Sequence, residues 1–162
     1  MEEESRELFY TGLFNQTINI DPNILKKNID LDQLILEKLR NEVEGKCICH
    51  GFIKKGSISI VKRTIGTLNS VRLDGSIAFD ISYSAQVCNP IVGQVINCEV
   101  ININRMGILA SQGPINIVIA RSNTRNTEEF EGVEKGNLIN VKIIGSRFDL
   151  YDTNITAIGS LE

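Results

Sequence analysis

The 162-residue sequence has no tryptophan, a single histidine, three prolines and four cysteines. With no second histidine and no obvious nucleophile-base arrangement around His50, a catalytic dyad has little support. Four cysteines in a chain of this length are too few for a disulfide scaffold, so a reducing compartment is expected. No apolar run approaches the roughly 18 residues of a membrane span. Met1-Glu2-Glu3-Glu4 is acidic where a secretory signal would be basic, so no such signal is expected. Excess positive charge is lacking as well. The net charge is −3, which excludes the uniformly basic surface of a non-specific duplex binder. Residues 1–84 carry 11 Lys/Arg against 12 Asp/Glu, and residues 85–162 carry 6 against 8. Any nucleic-acid contact is therefore local and salt-sensitive, or made through a partner.

What is present is a globular composition, 42% apolar and 23% charged, sized for one ordinary domain or two small ones. The 25 Ile and 16 Asn against 5 Ala point to AT-rich coding. Strand signals dominate after residue 45. Phe79, Ile81, Tyr83, Ala85 and Val87 alternate with polar residues, and Ile115/Ile117/Ile119 and Ile139/Val141/Ile143 each share one parity. This period-two pattern predicts half-buried antiparallel strands, separated by turns at Asp74-Gly75, Asn89-Pro90, Gly113-Pro114 and Lys135-Gly136-Asn137. Helical spacing is confined to 21–43. Asp21-Pro22 reads as one start, and Asp30 with Gln33 as a second. Leu31, Leu34, Ile35, Leu39 and Val43 share one face, and Gly45 is the stop. The polar stretch from Arg121 through Glu131, which includes the acids Glu128 and Glu129, reads as a long solvated loop. The region 83–90 is the junction between a β-α-β-β-β half and about five short strands, a size that fits an OB-type barrel.

Three clusters carry possible chemistry. Cys47, Cys49 and His50 have metal-binding side chains, but zinc needs four ligands, usually as two spaced pairs. Cys88 and Cys98 make no second pair. Residues two apart in a strand share a face, so these cysteines read as core thiols and His50 as a turn residue. No metal or cofactor is expected. Gly45, Gly51 and Gly56 lack the spacing of a phosphate loop and read as turn glycines. Lys54, Lys55, Lys62 and Arg63 form the one basic cluster, either ordinary edge lysines or a docking surface.

Several segments, taken together, carry a family resemblance. They are Glu44-Gly45-Lys46-Cys47, Asp74-Gly75-Ser76 and Phe79-Asp80-Ile81-Ser82-Tyr83-Ser84-Ala85, followed by Asn89-Pro90-Ile91-Val92-Gly93-Gln94-Val95-Ile96. Met106-Gly107-Ile108, Gln112-Gly113-Pro114-Ile115 and Ile155-Thr156-Ala157-Ile158-Gly159-Ser160 complete the series. In this order and spacing the chain resembles the stalk subunit of multisubunit DNA-directed RNA polymerases. That family comprises the seventh subunit of eukaryotic RNA polymerase II and its archaeal counterpart. The composition suggests a version encoded by a large DNA virus. Gln94 stands where the family usually has Glu, and Cys88 where an aromatic is frequent.

The resemblance implies an α+β, mostly β protein. An N-terminal RNP-like tip domain, 1–84, with a helix packed on an antiparallel sheet, would dock on the polymerase core. A C-terminal five-stranded OB-fold barrel, 85–162, would meet RNA. It implies no catalytic residues. Its partners would be the polymerase core, meaning the two largest subunits and the clamp region, together with a fourth-subunit homologue and, weakly, nascent single-stranded RNA. No membrane partner is expected. The location would be intracellular: viral particle and host cytoplasm for a viral enzyme, nucleus for a cellular one. Carried onto this sequence, the core-docking residues are Pro22, Asn23, Lys62, Arg63, Gly66 and Asn69. The RNA-binding residues are Asn102, Arg105, Arg121 and Arg147. The barrel half holds only Phe130, Phe148 and Tyr151 as stacking aromatics, which argues against sequence-specific recognition. Two rival functions stay open: a free-standing OB-fold RNA binder resembling a translation factor, and a structural adaptor that never touches RNA.

Overall fold

A computed structural model describes residues 8–25, 28–123, 130 and 132–162. Glu128, Glu129 and most of the expected polar loop lie outside the described residues, as does the acidic start at Met1–Glu4. The chain divides into two compact units, residues 1–45 with 53–87, and residues 46–52 with 88–162.

The first unit is built around β6 (Ile77–Cys88), whose alternating apolar residues bury Phe79, Ile81, Tyr83, Ala85 and Val87 on one face. Along one edge lies β1 (Tyr10–Ile20), antiparallel and in unbroken register from Tyr10↔Val87 to Ile20↔Ile77. The short strands β4 (Ser59–Arg63) and β5 (Thr67–Leu68) also pair with β6. The helix α1 (Leu31–Val43) buries Ile35, Leu39 and Val43. It begins where Asp30 caps it, the carboxylate accepting from the backbone N–H groups of Asp32 and Gln33. It stops before Gly45, whose φ of +68° suits glycine. Side chains tie it to the sheet: Gln16 donates to Glu42 at 2.7 Å, and Lys38 to the carbonyl of Asn19. Arg63 on β4 pairs with Asp32 in its first turn. The other expected helix start, Asp21-Pro22, is a single turn instead. Asn23 N–H binds the Asp21 carboxylate at 2.9 Å and Ile24 N–H binds the Asp21 carbonyl, an Asx turn that competes with helix propagation.

The second unit is a closed barrel in the order β10-β11-β9-β8-β7. Its strands are β7 (Val95–Asn104), β8 (Gly107–Gln112), β9 (Ile115–Ala120), β10 (Leu138–Arg147) and β11 (Ile155–Leu161). All neighbours are antiparallel except β9 and β11, which run parallel from Ile155↔Ile115. This is the expected OB-type barrel. Its interior is mostly aliphatic, including Ile96, Val100, Ile108, Ile117, Val141, Ile143 and Ile155. A hairpin of β2 (Cys47–Ile48) and β3 (Gly51–Ile53) supplies the remaining segment. Cys47 N–H reaches the Asp152 carbonyl at 2.7 Å, and Tyr151 N–H reaches the Cys47 carbonyl at 2.8 Å.

Candidate functional site

At one end of the first unit, where β1 finishes and β6 starts, the chain makes a loop over residues 69–76. Asn69 organises it. Its backbone N–H binds the Ser76 carbonyl at 2.9 Å. Its side-chain oxygen accepts from Val71 N–H at 3.1 Å and Arg72 N–H at 3.3 Å, and its amide nitrogen donates to Asn19 at 3.2 Å. Asp74 closes the other side by accepting from Ser76 N–H at 2.9 Å. Pro22 lies against Gly75, within 3.7 Å of where a Cβ would stand. Thus Pro22, Asn23 and Asn69 come together here. Gly66 lies beneath, where a Cβ would come within 2.5 Å of Ile77 and 2.7 Å of Phe79, so its place is in the packing of this end. Arg63 is held by Asp32. Lys62 opposes Ser82 and borders a cleft of about 320 Å³ with Thr17, Thr64, Asp80 and Ile81.

What the sequence pattern missed at this end is apolar. Ile65, Val71 and Leu73 are each 88% exposed, Leu68 75% and Ile24 45%. The available signal was a set of four aliphatic residues in the stretch 65–73 that follow neither helical nor strand period.

On the barrel, Asn102, Arg105 and Arg121 come together at one end. The Arg121 N–H binds the Met106 carbonyl at 3.2 Å, in the turn that carries Arg105, and Asn102 opposes Leu109 on β8. The Arg121 guanidinium lies 5.4 Å from the centre of the buried Phe130 ring, which removes Phe130 from use as a stacking surface. Arg147 is elsewhere. It opposes Thr156, next to the start of β9 rather than its end, and Asp149 stands 3.9 Å away. Six residues of β9 put about 20 Å between the two places. Arg147 edges a cleft of about 520 Å³ with Phe148, Asp149, Thr156 and Ile158. Across the outer surface, Leu109, Val118 and Ile158 are register partners and partly exposed, so the ground between the arginines is apolar. A further aromatic follows Arg147 in the chain. Tyr151 is 64% exposed at φ +68°, with the Lys46 ammonium 5.9 Å from its ring centre.

Among the basic cluster, Lys54 stands 5.2 Å from the Phe9 ring and Lys55 lies over Gly45, so they cover apolar surface. Of the cysteines, Cys47, Cys88 and Cys98 are buried and Cys49 is exposed. The expectation of a shared face fails for Cys49 because β2 ends at Ile48 and the chain turns at Cys49-His50. Burial, with Asp152 adding to it, pushes the Cys47 thiol up to about 11. Burial pushes Cys88 and Cys98 up to about 12.

These observations define a class: a helix-backed antiparallel sheet with an apolar-tipped loop, joined in one chain to an OB-type barrel. No family model matches the chain. Individual relatives match it almost end to end. The DNA-directed RNA polymerase II subunit RPB7 of Glycine max is 27% identical over an alignment of 174 positions that covers 96% of this chain and 93% of that protein. Its counterpart in Schizosaccharomyces pombe is 27% identical over an alignment of 172 positions that covers 95% of each chain. A protein of Acanthamoeba polyphaga mimivirus, named as a DNA-directed RNA polymerase subunit, is 23% identical over 96% of this chain and 83% of its own length. The chain is a homologue of these polymerase subunits, and the resemblance carried by its motifs holds over 95–96% of its length.

Proposed function

We propose that this chain is a non-catalytic stalk subunit of a multisubunit DNA-dependent RNA polymerase. The tip domain, 1–84, docks beside the clamp, and the barrel domain, 85–162, guides nascent RNA. The observation that carries this reading is the end-to-end similarity to RPB7 proteins, which spans the helix-backed sheet and the barrel together. Among the described residues no helix is long and apolar enough to cross a membrane. The tip favours a closed clamp to the extent that it binds that state more tightly than the open one. The barrel then meets the transcript at high effective concentration, which offsets weak intrinsic affinity. A fourth-subunit homologue is the expected small partner. The site of action is wherever that polymerase transcribes, the virion and host cytoplasm for a viral enzyme or the nucleus for a cellular one.

The test is affinity purification of the chain from its natural source at high salt, with mass spectrometry of what is retained. Near-equal recovery of the two largest polymerase subunits supports the reading. Recovery of translation proteins or RNA alone overturns it and leaves a free OB-fold RNA binder. A second reading, an adaptor that never touches RNA, is favoured by the apolar ground between the arginines and by Asp149 beside Arg147. Substituting Arg105, Arg121 and Arg147 together separates the two. Unchanged transcript crosslinking in the assembled polymerase supports the adaptor.

A further inference from the structure

The cleft of about 520 Å³ beside Arg147 owes its opening to a glycine that the backbone does not require. The β10–β11 register breaks between Ile143 and Gly145, and Gly145 then opposes Ile158. Its φ is not positive, and a Cβ placed on it would meet nothing within 4 Å. Neither conformation nor packing therefore demands glycine here; its effect is to leave the cleft open. One wall comes from the turn after β10, which is held on both sides. Asp149 N–H donates to the Asp152 carboxylate at 2.8 Å, and Asp152 N–H to the Asp149 carbonyl at 3.2 Å. Cys47 N–H donates to the Asp152 carbonyl at 2.7 Å, tying the turn to the β2–β3 hairpin.

Sites for small ligands are concave, about 300–1,000 Å³, mostly apolar and marked by a few placed polar groups. Phe148 and Ile158 give this cleft apolar surface, and Arg147, Asp149 and Asp152 give it a polar edge. The Arg147 guanidinium stands 3.9 Å from the Asp149 carboxylate, too far for a hydrogen bond. A fork of donors and a pair of acceptors thus sit side by side, unspent on each other. The four bases differ at the edge that such a pair would meet. Guanine presents, in order, the acceptor O6 and the donors N1–H and N2–H₂, which match a guanidinium beside a two-oxygen carboxylate. Adenine and cytosine put an amino donor against the guanidinium. Uracil matches at O4 and N3–H but sets its O2 acceptor against the second carboxylate oxygen. One aromatic wall is enough for a single base, although it is too little for a run of them. We infer that this cleft recognises guanine, with Phe148 as the stacking wall, Arg147 donating to O6, and Asp149 accepting from N1–H and N2–H₂. A free guanine nucleotide and an unstacked guanosine of single-stranded RNA present the same edge. This inference goes beyond the proposed function, in which Arg147 meets the transcript whatever its bases.

The experiment titrates the isotope-labelled full chain with GMP, AMP, CMP and UMP, followed by NMR. Fluorescence anisotropy adds a short uridine oligomer with and without one central guanosine. GMP should shift the backbone signals of Gly145, Phe148 and Asp149 saturably, and about tenfold more tightly than AMP or CMP. Gly145→Val fills the cleft from a position with open space above it, so it should keep the wild-type thermal midpoint and lose the GMP response. Asp149→Asn exchanges one acceptor for a donor, the pattern that uracil O2 requires, so guanine binding should fall and UMP binding rise. A residue that merely held the turn would give no such reversal, because the turn's bonds run through the Asp149 backbone. This second variant decides the matter where Gly145→Val does not fold. Tighter binding of the guanosine oligomer than of GMP supports the site and assigns it to RNA, and equal binding supports it as a nucleotide site. Equal responses to all four nucleotides, GMP shifts confined to residues outside 145–158, or an unchanged GMP response in folded Gly145→Val overturns guanine recognition. None of these results bears on the stalk reading, which fails only if the polymerase core is not recovered with the chain.

Discussion

The four cysteines divide by environment, and their chemistry follows. Cys49 sits exposed in the turn after β2, whereas Cys47, Cys88 and Cys98 are buried with thiols pushed up to between about 11 and about 12. Only a thiolate attacks an alkylating reagent, so a buried, protonated thiol is inert. Intact-mass spectrometry after brief iodoacetamide treatment at pH 8 should show one adduct on the folded chain, at Cys49, and four in denaturant. The same burial sets an alkaline limit. The unfolded thiols ionise near their ordinary value of 9.0, so below that pH both states hold their protons and stability is complete. As pH rises from about 9 towards 12 the unfolded chain loses protons first, and stability falls. Denaturant midpoints at pH 8 and pH 10.5 should differ in that direction, and replacing Cys98 by Ala or Val should flatten the difference. The sequence identified three of these as core thiols. It misplaced Cys49 because a two-residue strand leaves no alternation from which to read the turn.

Among the elements, those with long periodic signals were the legible ones. β6 and the barrel strands follow their alternation, and α1 begins at the Asp30 cap that its spacing to Gln33 indicated. Replacing Asp30 by Ala removes the acceptor for two N–H groups and should cost about 1 kcal/mol in a denaturant titration of the folded chain. Local pattern could not reveal pairings set by distant partners. Examples are the parallel β9–β11 contact and the hairpin at 46–52, which groups with the barrel although it precedes most of the first unit's strands. Close approach is equally invisible. A Cβ on Gly107 would meet the Ile119 carbonyl oxygen at 2.4 Å, and backbone cannot move aside without parting β8 from β9. Gly107→Ala should therefore lower barrel stability by about 1–3 kcal/mol. Asn137→Ala, at the exposed turn before β10, should change little.

At the scale of the whole molecule, the net charge of −3 decides what kind of RNA contact is possible. With Arg105 and Arg121 at one end of the barrel, Arg147 at the other and an apolar row between them, two to three phosphates is the most the assigned residues can neutralise. For single-stranded nucleic acid the log–log salt slope is about −0.7 per phosphate neutralised, so the chain should bind an oligonucleotide with a slope near −2, shallow beside dedicated nucleic-acid proteins. Arg105→Gln with Arg121→Gln should remove about 1.4 of that slope, and Arg147→Gln alone about 0.7. The two ends are about 20 Å apart along β9, a distance that suits the short end of the 4–16 nucleotide range for OB barrels. Fluorescence anisotropy with uridine oligomers of increasing length, titrated at several salt concentrations, measures both quantities. Loss of slope on the Arg105/Arg121 side only would restrict the contact to that end and assign the Arg147 cleft, with its two aspartates, to something other than RNA. No loss from either substitution would remove RNA from the barrel and leave the chain holding the polymerase through its tip alone.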